Sequence, residues 1–346
     1  MKRTLLLFLG LGLLISCAPG PVKPAELAVM THNSFAVSEG LIQQFEETYD
    51  IKVTFLAAGD TGEALNKAIL SKDAPLADVF YGVDNTFLSR ALEAGIFEAY
   101  ESPALADVPE EFRLDPESRA LPVDYGDVCI NYDRAYFAEN NLAVPKSLED
   151  LTKSEYEGLL AVENPATSSP GLAFLLATVQ HFGEPGYLDY WEELRENRVV
   201  VVDGWETAYY TNFSASSGQG PQPMVVSYAS SPAAEVVFAQ TPLDDAPTAS
   251  ILGPGTCFRQ IEFVGILKGT RNRAAAEGFI DFMLSRDFQE DMPLQMFVFP
   301  VNTQAVLPEP FVKYAQTAEQ PLTMSPVNIA ANRERWIAEW TEVVLR

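Results

Sequence analysis

The segment PVDYGDVCINYD, residues 122–133, reads as a long strand and separates two stretches that each alternate strand and helix. A second long apolar segment, TCFRQIEFVGIL at 256–267, follows the second of these stretches. We interpret the first segment as the passage of the chain from one lobe to another, and the second as its return. The sequence therefore predicts two lobes that share a hinge of extended strands.

The stretch before the first crossing predicts a mostly parallel sheet. LAVMT at 27–31, IKVTFLA at 51–57 and ADVFYG at 77–82 read as strands, and amphipathic segments between them read as helices. Helices then cover the sheet, and ligands gather at the carboxyl ends of its strands. No GxGxxG pattern follows any of these strands, so a dinucleotide site is not indicated.

The stretch after the first crossing repeats this alternation and predicts a second α/β lobe. Strands are expected at 158–164, 198–203 and 223–228, and helices at about 171–182, 186–197 and 204–213. The predicted division of the chain is a signal peptide at 1–16, a tether at 17–26, a first lobe formed by 27–126 with 262–305, a second lobe at 127–261, and a C-terminal helical segment at 306–346 that is assigned to neither lobe.

The overall charge argues against a nucleic-acid partner. The 346 residues contain 23 Lys and Arg against 48 Asp and Glu, which gives a net charge of −25. A surface of this sign repels phosphate backbones. Such a surface could also attract a cationic ligand, although acidic composition is common in secreted proteins.

The first residues predict export from the cytoplasm. Lys2 and Arg3 precede an apolar run at 5–15, which is too short to span a bilayer and has the length of a signal-peptide core. The run ends in LISC, which is similar to a bacterial lipobox, so Cys17 is predicted to be lipidated and to anchor the chain to a membrane. The alternative is an ordinary signal peptide with an incidental cysteine. The remaining cysteines, Cys129 and Cys257, form either a disulfide between the two crossings or a pair of buried thiols.

The segment NPATSSPGLAFLLATVQHF, residues 164–182, places hydroxyl side chains before a helix. Ser169 fits the N-cap and Pro170 the first helical position. Thr167 and Ser168 are not needed for capping, and with free backbone N–H groups they predict a pocket for an anion or another strong acceptor. An ordinary Ser/Thr-rich loop with a cap explains the same residues.

Aromatic and acidic side chains occur at the other predicted strand ends. Flat rings beside carboxylates suit a planar heterocycle that carries amino groups or a positive charge. The candidates are Asp60, Asp84, Asp124, Tyr125, Trp205, Tyr209, Tyr228 and Phe297. Hydrolytic motifs are absent, because neither GxSxG nor HExxH occurs and His32 and His181 are the only histidines. No cofactor is expected.

Several motifs together resemble the periplasmic thiamine-binding proteins of bacterial ABC importers, which are related to ferric-ion-binding proteins. The resemblance covers nearly all of the chain after the signal peptide. Its motifs are SF at 34–35, GD at 59–60, ADV at 77–79 with GVD at 82–84, DYG at 124–126, TSSPGL at 167–172, GWETAY at 204–209, VSYASSPA at 226–233 and FPV at 299–301.

The resemblance implies a fold, a function and roles for individual residues. It implies a two-lobed periplasmic-binding-protein fold, in which each lobe is a mostly parallel sheet flanked by helices and hinge strands join the lobes. A monomer of this kind binds thiamine or a thiamine phosphate and delivers it to the permease and ATPase. Asp60 would contact the aminopyrimidine, and Ser168 with its neighbours would receive phosphate. Tyr125, Trp205 and Tyr228 would line the site, which we extend to His32, Asp84 and Phe297.

Three positions depart from the family pattern and leave other ligands open. His32 replaces the usual stacking tyrosine, Ala234 replaces a ring after SPA, and Phe297 replaces the usual tryptophan. Adjacent Tyr209 and Tyr210 support ferric-ion binding as one alternative, although neighbouring helical residues point in different directions. A secreted hydrolase that uses Asp60, Asp84 and Asp124 is the other.

Overall fold

The computed structural model describes residues 25–217 and 219–346, which form strands and helices that largely follow the predicted alternation. The strands are β1 (Ala25–Thr31), β2 (Ile51–Ala57), β3 (Val79–Asp84), β4 (Phe97–Glu98), β5 (Leu121–Asp133), β6 (Leu160–Glu163), β7 (Val200–Val202), β8 (Met224–Tyr228), β9 (Thr248–Ile251), β10 (Phe258–Leu267) and β11 (Phe299–Pro300). The helices are α1 (Glu39–Tyr49), α2 (Thr61–Leu70), α3 (Leu88–Ala94), α4 (Arg134–Glu139), α5 (Ser169–Phe182), α6 (Gly186–Glu196), α7 (Trp205–Thr207), α8 (Ser214–Ser217), α9 (Ser231–Val237), α10 (Arg273–Met283), α11 (Arg286–Gln295), α12 (Glu309–Tyr314) and α13 (Pro326–Val344).

Two groups of parallel strands are joined through an antiparallel centre. β1 pairs in parallel with β2 and β3, and β6 pairs in parallel with β7 and β8. Between these groups, β10 is antiparallel to β3 and β5, and β5 is antiparallel to β8. The predicted two-lobed α/β fold is therefore confirmed, and the long strands β5 and β10 are the hinge.

The hinge strands change partners along their length. β10 lies between β5 and β3, and pairs with β5 from Phe258 to Val264 and with β3 from Glu262 to Ile266. β5 pairs with β8 only from Val128 onward. β10 therefore adjoins the first parallel group through β3, and β5 adjoins the second through β8. We propose that the lobe boundaries lie within these strands, at 126/127 and 261/262.

A disulfide connects the two crossings. Cys129 in β5 is bonded to Cys257, which directly precedes β10, and their Cα atoms are 4.4 Å apart. Of the two alternatives for these cysteines, the structure has the disulfide. The bond joins residues separated by 128 positions in the sequence, so it ties the hinge covalently.

The C-terminal segment packs on both lobes. In α13, the Trp340 ring packs edge-to-face on Trp191 of α6, with 5.6 Å between ring centroids. The guanidinium of Arg333 lies 5.3 Å from the ring centroid of Phe87, which precedes α3. Helix α3 follows β3 of the first parallel group, and α6 lies between β6 and β7 of the second. Because α13 contacts both helices, it bridges the lobes.

Some local predictions were wrong. The helix expected at 204–213 is interrupted, because a π-helical turn over Ala208–Asn212 follows the short α7. Residues 241–256, for which no element is predicted, contain β9, which pairs with β5. The tether expected at 17–26 overlaps β1, which begins at Ala25.

The predicted signal peptide and Cys17 lie outside the described residues. In the part of the chain that the structure describes, no helix has both the length and the hydropathy needed to cross a bilayer.

Candidate functional site

A cleft of about 370 Å³ lies between the two parallel groups of strands, at the carboxyl ends of β1 and β2 and beside the hinge. Its volume is at the lower end of the range for small-molecule sites, about 300–1,000 Å³. Its lining consists of His32, Asn33, Ser34, Phe35, Ala36, Asp60, Thr61, Ser169, Pro170, Trp205, Glu206, Tyr209, Tyr210, Tyr228, Ser231, Ala234, Phe238, Glu262, Gln295, Met296, Phe297 and Val298.

The structure brings most of the predicted site residues together in this cleft. Residues from both lobes line the cleft. This agrees with the expectation that ligands bind at the carboxyl ends of the strands in α/β folds. The predicted residues that line the cleft are His32, Asp60, Ser169, Trp205, Tyr209, Tyr228 and Phe297. These side chains therefore face one common gap.

Asp84 and Tyr125 are among the predicted residues that do not line the cleft. Asp84 is completely buried, and its Oδ1 accepts hydrogen bonds from the backbone N–H and the hydroxyl of Thr86, at 2.6 and 2.5 Å. Tyr125 is stacked between Phe112 and Phe299, with centroid distances of 4.7 and 5.4 Å. Neighbouring residues of a strand face opposite sides of the sheet, so Tyr125 faces away from Asp124.

The hydroxyl-rich loop before α5 is also arranged differently from the prediction. Ser168, not Ser169, is the N-cap, and its side chain makes no capping hydrogen bond. Ser168 is completely buried, and its Oγ has no hydrogen-bond partner. Thr167 Oγ1 donates to the carbonyl of Asp203 at 2.7 Å. Neither Thr167 nor Ser168 lines the cleft, whereas Ser169 does.

Asp60 connects the two lobes at the cleft. It is the N-cap of α2, where its Oδ1 accepts a hydrogen bond from the N–H of Thr61 at 2.7 Å. Its Oδ2 accepts from the backbone N–H of Trp205, across the cleft, at 3.2 Å. Burial raises the pKa of Asp60, and these two hydrogen bonds oppose the shift because they stabilise the carboxylate. A carboxylate in this position can also accept from a ligand amino group.

Aromatic rings form one wall of the cleft. Trp205 stacks on Tyr209 with 5.0 Å between centroids and 17° between planes. The indole Nε1 of Trp205 donates to Ser227 Oγ at 2.9 Å, which fixes the ring. Tyr228 is fixed in the same way, because its hydroxyl donates to Gln260 Oε1 at 2.7 Å. Rings held like this present flat faces to a planar ligand.

Phe238 is a site residue that the sequence analysis missed. It is 67% exposed and contacts Phe297 edge-to-face at 5.2 Å between centroids. Phe238 follows Ala234 by four positions at the end of α9, and residues four apart lie on the same helix face. Phe238 therefore places a ring at the cleft one turn after Ala234, and this spacing was the available signal.

Glu262 is a second missed residue, and it forms a polar floor with His32. His32 Nε2 lies 3.4 Å from Glu262 Oε1. The buried Tyr81 hydroxyl contacts Glu262 Oε2 at 3.0 Å and Asp124 Oδ2 at 2.7 Å. Glycine is required at position 82, because a Cβ there would lie 2.4 Å from His32 Cδ2.

The acids in this floor have opposite pKa shifts. Burial alone would raise the pKa of Glu262, but His32 holds it below its usual value. Burial would lower the pKa of His32, but Glu262 raises it above its usual value. Burial raises the pKa of Asp124 well above its usual value and that of Asp84 to about 7. Glu262 and His32 therefore form an ion pair, whereas burial favours the neutral form of the neighbouring Asp124 and Asp84.

Comparison with known proteins identifies the family. A model of the bacterial extracellular solute-binding protein family matches residues 74–319, which is more than half of the chain. The chain belongs to this family. As a solute-binding protein it acts outside the cytoplasm, binds a ligand between its lobes and serves an ABC transporter.

The relatives of this solute-binding protein include several with a stated ligand. The thiamine-binding periplasmic protein of Escherichia coli is 30% identical over 96% of this chain and 98% of its own length. That of Brucella abortus is 28% identical over the whole of both chains. A solved periplasmic thiamin binding protein superposes with a TM-score of 0.80 at 27% identity, and covers 93% of this chain and 96% of its own. A ferric binding protein from Campylobacter jejuni shares the fold, with a TM-score of 0.73 at 19% identity over 92% of this chain and 99% of its own.

The two alternatives from the sequence analysis fit the site less well. Tyr209 and Tyr210 both line the cleft, because the π-helical turn changes the direction of neighbouring side chains. Tyr209 nevertheless donates to Glu235 at 2.6 Å, and burial raises its pKa well above the usual value, which opposes binding of iron as tyrosinate. For a hydrolase, Asp60 would act with Asp84 and Asp124, but the last two are buried outside the cleft.

Proposed function

We propose that this solute-binding protein binds thiamine or a thiamine phosphate between its lobes, as a monomer, and delivers it to the permease of an ABC importer. The observation that carries the proposal is the joint position of Asp60, Trp205 and Tyr228 around one gap. The names of the full-length relatives support the same ligand.

The chemistry of the cleft suits the two halves of thiamine. A flat aminopyrimidine can stack on rings, and its amino group can donate to the Asp60 carboxylate. The thiazolium carries a positive charge, which aromatic faces and carboxylates attract. His32 in place of a stacking tyrosine removes one phenol ring, while Phe238 adds a ring to the cleft lining.

Isothermal titration with thiamine tests the proposal. We expect a dissociation constant in the micromolar range or below, since closure of two lobes buries most of a small ligand. Asp60→Asn is expected to weaken binding by more than about tenfold, because a charge-assisted hydrogen bond is lost. No binding below millimolar concentration would remove the ligand while leaving the family assignment intact.

An analogue makes the role of Asp60 more specific. Oxythiamine has an oxo group where thiamine has the amino group, so it cannot donate to the carboxylate from this position. Wild-type protein is expected to prefer thiamine, and Asp60→Asn to lose most of this preference. An unchanged preference in the variant would mean that Asp60 does not contact the amino group.

Ferric ion is a second candidate, because Tyr209 and Tyr210 both line the cleft. Within the described residues, no group of three or more His, Cys, Asp or Glu side chains could hold a metal ion. Addition of ferric citrate distinguishes the candidates, because tyrosinate bound to iron absorbs visible light and thiamine does not.

We also propose that Cys17 carries a lipid that anchors the protein to a membrane. The support is the LISC segment and the apolar run before it. Cys17→Ser is expected to release the protein from the membrane fraction into the soluble one. Unchanged membrane association of this variant would contradict the anchor.

A further inference from the structure

A buried glutamine, Gln260 of β10, contacts polar groups of other elements behind the cleft. It is 1% exposed and is not among the residues that line the cleft. Its Nε2 donates to Asp84 Oδ2 at the end of β3 and to Ser169 Oγ at the start of α5. Its Oε1 accepts from the hydroxyl of Tyr228, at the end of β8, at 2.7 Å. Ser169 and Tyr228 line the cleft, so Gln260 lies directly behind two cleft side chains.

Asp84 determines which way the amide of Gln260 points. The turn after β3 holds the carboxyl group of Asp84, because Oδ1 accepts from the N–H and the hydroxyl of Thr86 at 2.6 and 2.5 Å. Its Oδ2 is thereby left to face Gln260. An ionised carboxylate only accepts hydrogen bonds, and in an amide only the nitrogen donates. The Gln260 nitrogen therefore has to face Asp84, and its oxygen has to face Tyr228.

The direction of this amide determines what the two cleft side chains offer. Tyr228 donates to Gln260 Oε1, and its ring lies against β5, where a Cβ at Gly126 would be 2.9 Å from Tyr228 Cδ1. Ser169 accepts from Gln260, so its own O–H proton is not used in this bond. A hydroxyl that accepts one hydrogen bond can donate another. Ser169 therefore keeps a donor for the cleft.

We infer that Gln260 is a positioning residue of the cleft, which Asp84 orients and which in turn fixes the ring of Tyr228 and leaves the hydroxyl proton of Ser169 free to donate. The inference rests on the proposed function and adds to it a residue that acts through others. It also gives Asp84 an indirect role, although this side chain does not line the cleft.

Removal of the amide tests the inference. Gln260→Met nearly keeps the length of the side chain and removes its hydrogen bonds to both lobes. Gln289→Met is the matched control, because Gln289 is completely buried and does not line the cleft. Its amide also bonds through both ends, from Nε2 to the carbonyls of Val123 and Met283 and to Oε1 from the N–H of Asn302.

We expect both variants to lose stability in urea unfolding, and only Gln260→Met to bind thiamine at least about tenfold more weakly than wild type. Equal losses of affinity in Gln260→Met and Gln289→Met would overturn the inference, since they would reflect loss of stability alone. An unchanged affinity of Gln260→Met would overturn it as well.

An exchange of the amide and the carboxylate separates stability from position. Burial raises the pKa of Asp84 to about 7, so titrations at about pH 8 keep it mostly ionised. Gln260→Glu alone places two buried carboxyl groups side by side and is expected to destabilise the protein. In the double variant Asp84→Asn/Gln260→Glu, the introduced amide donates to the introduced carboxylate, which still accepts from Tyr228, so most of the stability is expected to return.

The double variant nevertheless reverses the direction of one hydrogen bond. Ser169 now has to donate to the carboxylate at position 260, and its proton no longer serves the cleft. Thiamine is therefore expected to bind the double variant at least about fivefold more weakly than wild type. Recovery of both stability and affinity in the double variant would overturn the inference.

A measurement without ligand separates the inference from the proposed function. The side-chain NH2 signals of Gln260 are identified in a proton–nitrogen NMR spectrum by their absence from Gln260→Met. We expect their protons to exchange with solvent at least about a hundredfold more slowly than those of the exposed Gln44. Asp84→Asn, in which two NH2 groups would face each other, is expected to shift these signals.

The two readouts fail independently. If wild type binds no thiamine, the proposed function fails, while slow exchange that depends on Asp84 still supports the position of Gln260. Exchange in wild type as fast as that of Gln44 would overturn the inference and leave the proposed function intact.

Discussion

At the scale of single residues, position in the tertiary structure decides which of several similar side chains reaches the ligand site. Asp60 and Asp84 both follow predicted strands, yet Asp60 lines the cleft and Asp84 is buried behind it. Phe238 reaches the cleft although its sequence neighbourhood carries no motif. Side-chain direction, which depends on helix and strand geometry, separates these cases.

Phe238→Ala is expected to weaken thiamine binding without affecting stability. The ring is 67% exposed, so its removal leaves no cavity in the core. Loss of one aromatic contact corresponds to about 0.5–1.5 kcal/mol of binding free energy, measured by titration. Leu70→Ala is the control, because Leu70 is 87% exposed and does not line the cleft. Equal affinities of Phe238→Ala and wild type would show that the ring does not contact the ligand.

Glu163→Gln is expected to change the pH dependence of stability. The folded state raises the pKa of Glu163, so it binds a proton that the unfolded state releases above about pH 4.5. The free energy of unfolding of wild type therefore falls as pH rises through this window, by up to about 1.4 kcal/mol per pH unit from this group. Glutamine does not titrate, so urea unfolding at about pH 5 and about pH 8 should show a smaller decline in the variant. An identical decline in both proteins would contradict the assignment.

At the scale of elements, the hinge strands carry the connection between the lobes. β10 pairs with β3 of one parallel group, and β5 pairs with β8 of the other. The two hinge strands also pair with each other, and the Cys129–Cys257 disulfide ties them together. The predicted crossing segments correspond to these strands within two residues at each end. What the sequence did not predict is the π-helical turn after α7, which lets two successive tyrosines face the cleft.

Removal of the disulfide is expected to destabilise the protein strongly. The bond closes a loop across 128 sequence positions, and the chain-entropy model gives a loss of about 5 kcal/mol for a loop of this size. The double variant Cys129→Ala/Cys257→Ala should show this loss in urea unfolding, and a reductant should destabilise wild type but not the variant. A reductant that leaves wild type unchanged would indicate that the thiols are free.

At the scale of the whole molecule, the two lobes contact each other directly beside the cleft. The Gly62 N–H donates to the Thr167 carbonyl at 3.2 Å, and Asp60 accepts from the Trp205 N–H. Helix α13 packs on both lobes at the same time. Such contacts hold the lobes close together, and ligands of two-lobed proteins act by stabilising the closed arrangement.

Gly62→Ala is expected to weaken thiamine binding by hindering closure. The added Cβ would lie 2.7 Å from the Thr167 carbonyl oxygen in the opposite lobe, so the lobes must move apart. Overpacking of this kind opposes the closed state by about 1–3 kcal/mol, which titration would record as weaker affinity. Gly40→Ala in α1 is the control, because a Cβ there meets nothing within 4 Å. Unchanged affinity of Gly62→Ala would mean that the contact is not needed for binding.

The sequence by itself determined the two-lobed α/β fold, and most of the predicted site residues lie at the cleft, because hydrophobic periodicity fixes the elements and parallel strands place their carboxyl ends together. It did not determine the direction of the side chains at those ends. Tyr125 packs among other rings, Thr167 and Ser168 do not line the cleft, and Phe238 and Glu262 do. These outcomes depend on packing between segments far apart in the chain, such as Phe299 against Tyr125 and Glu262 against His32. Local patterns carry no information on such contacts, so only the tertiary structure decided them.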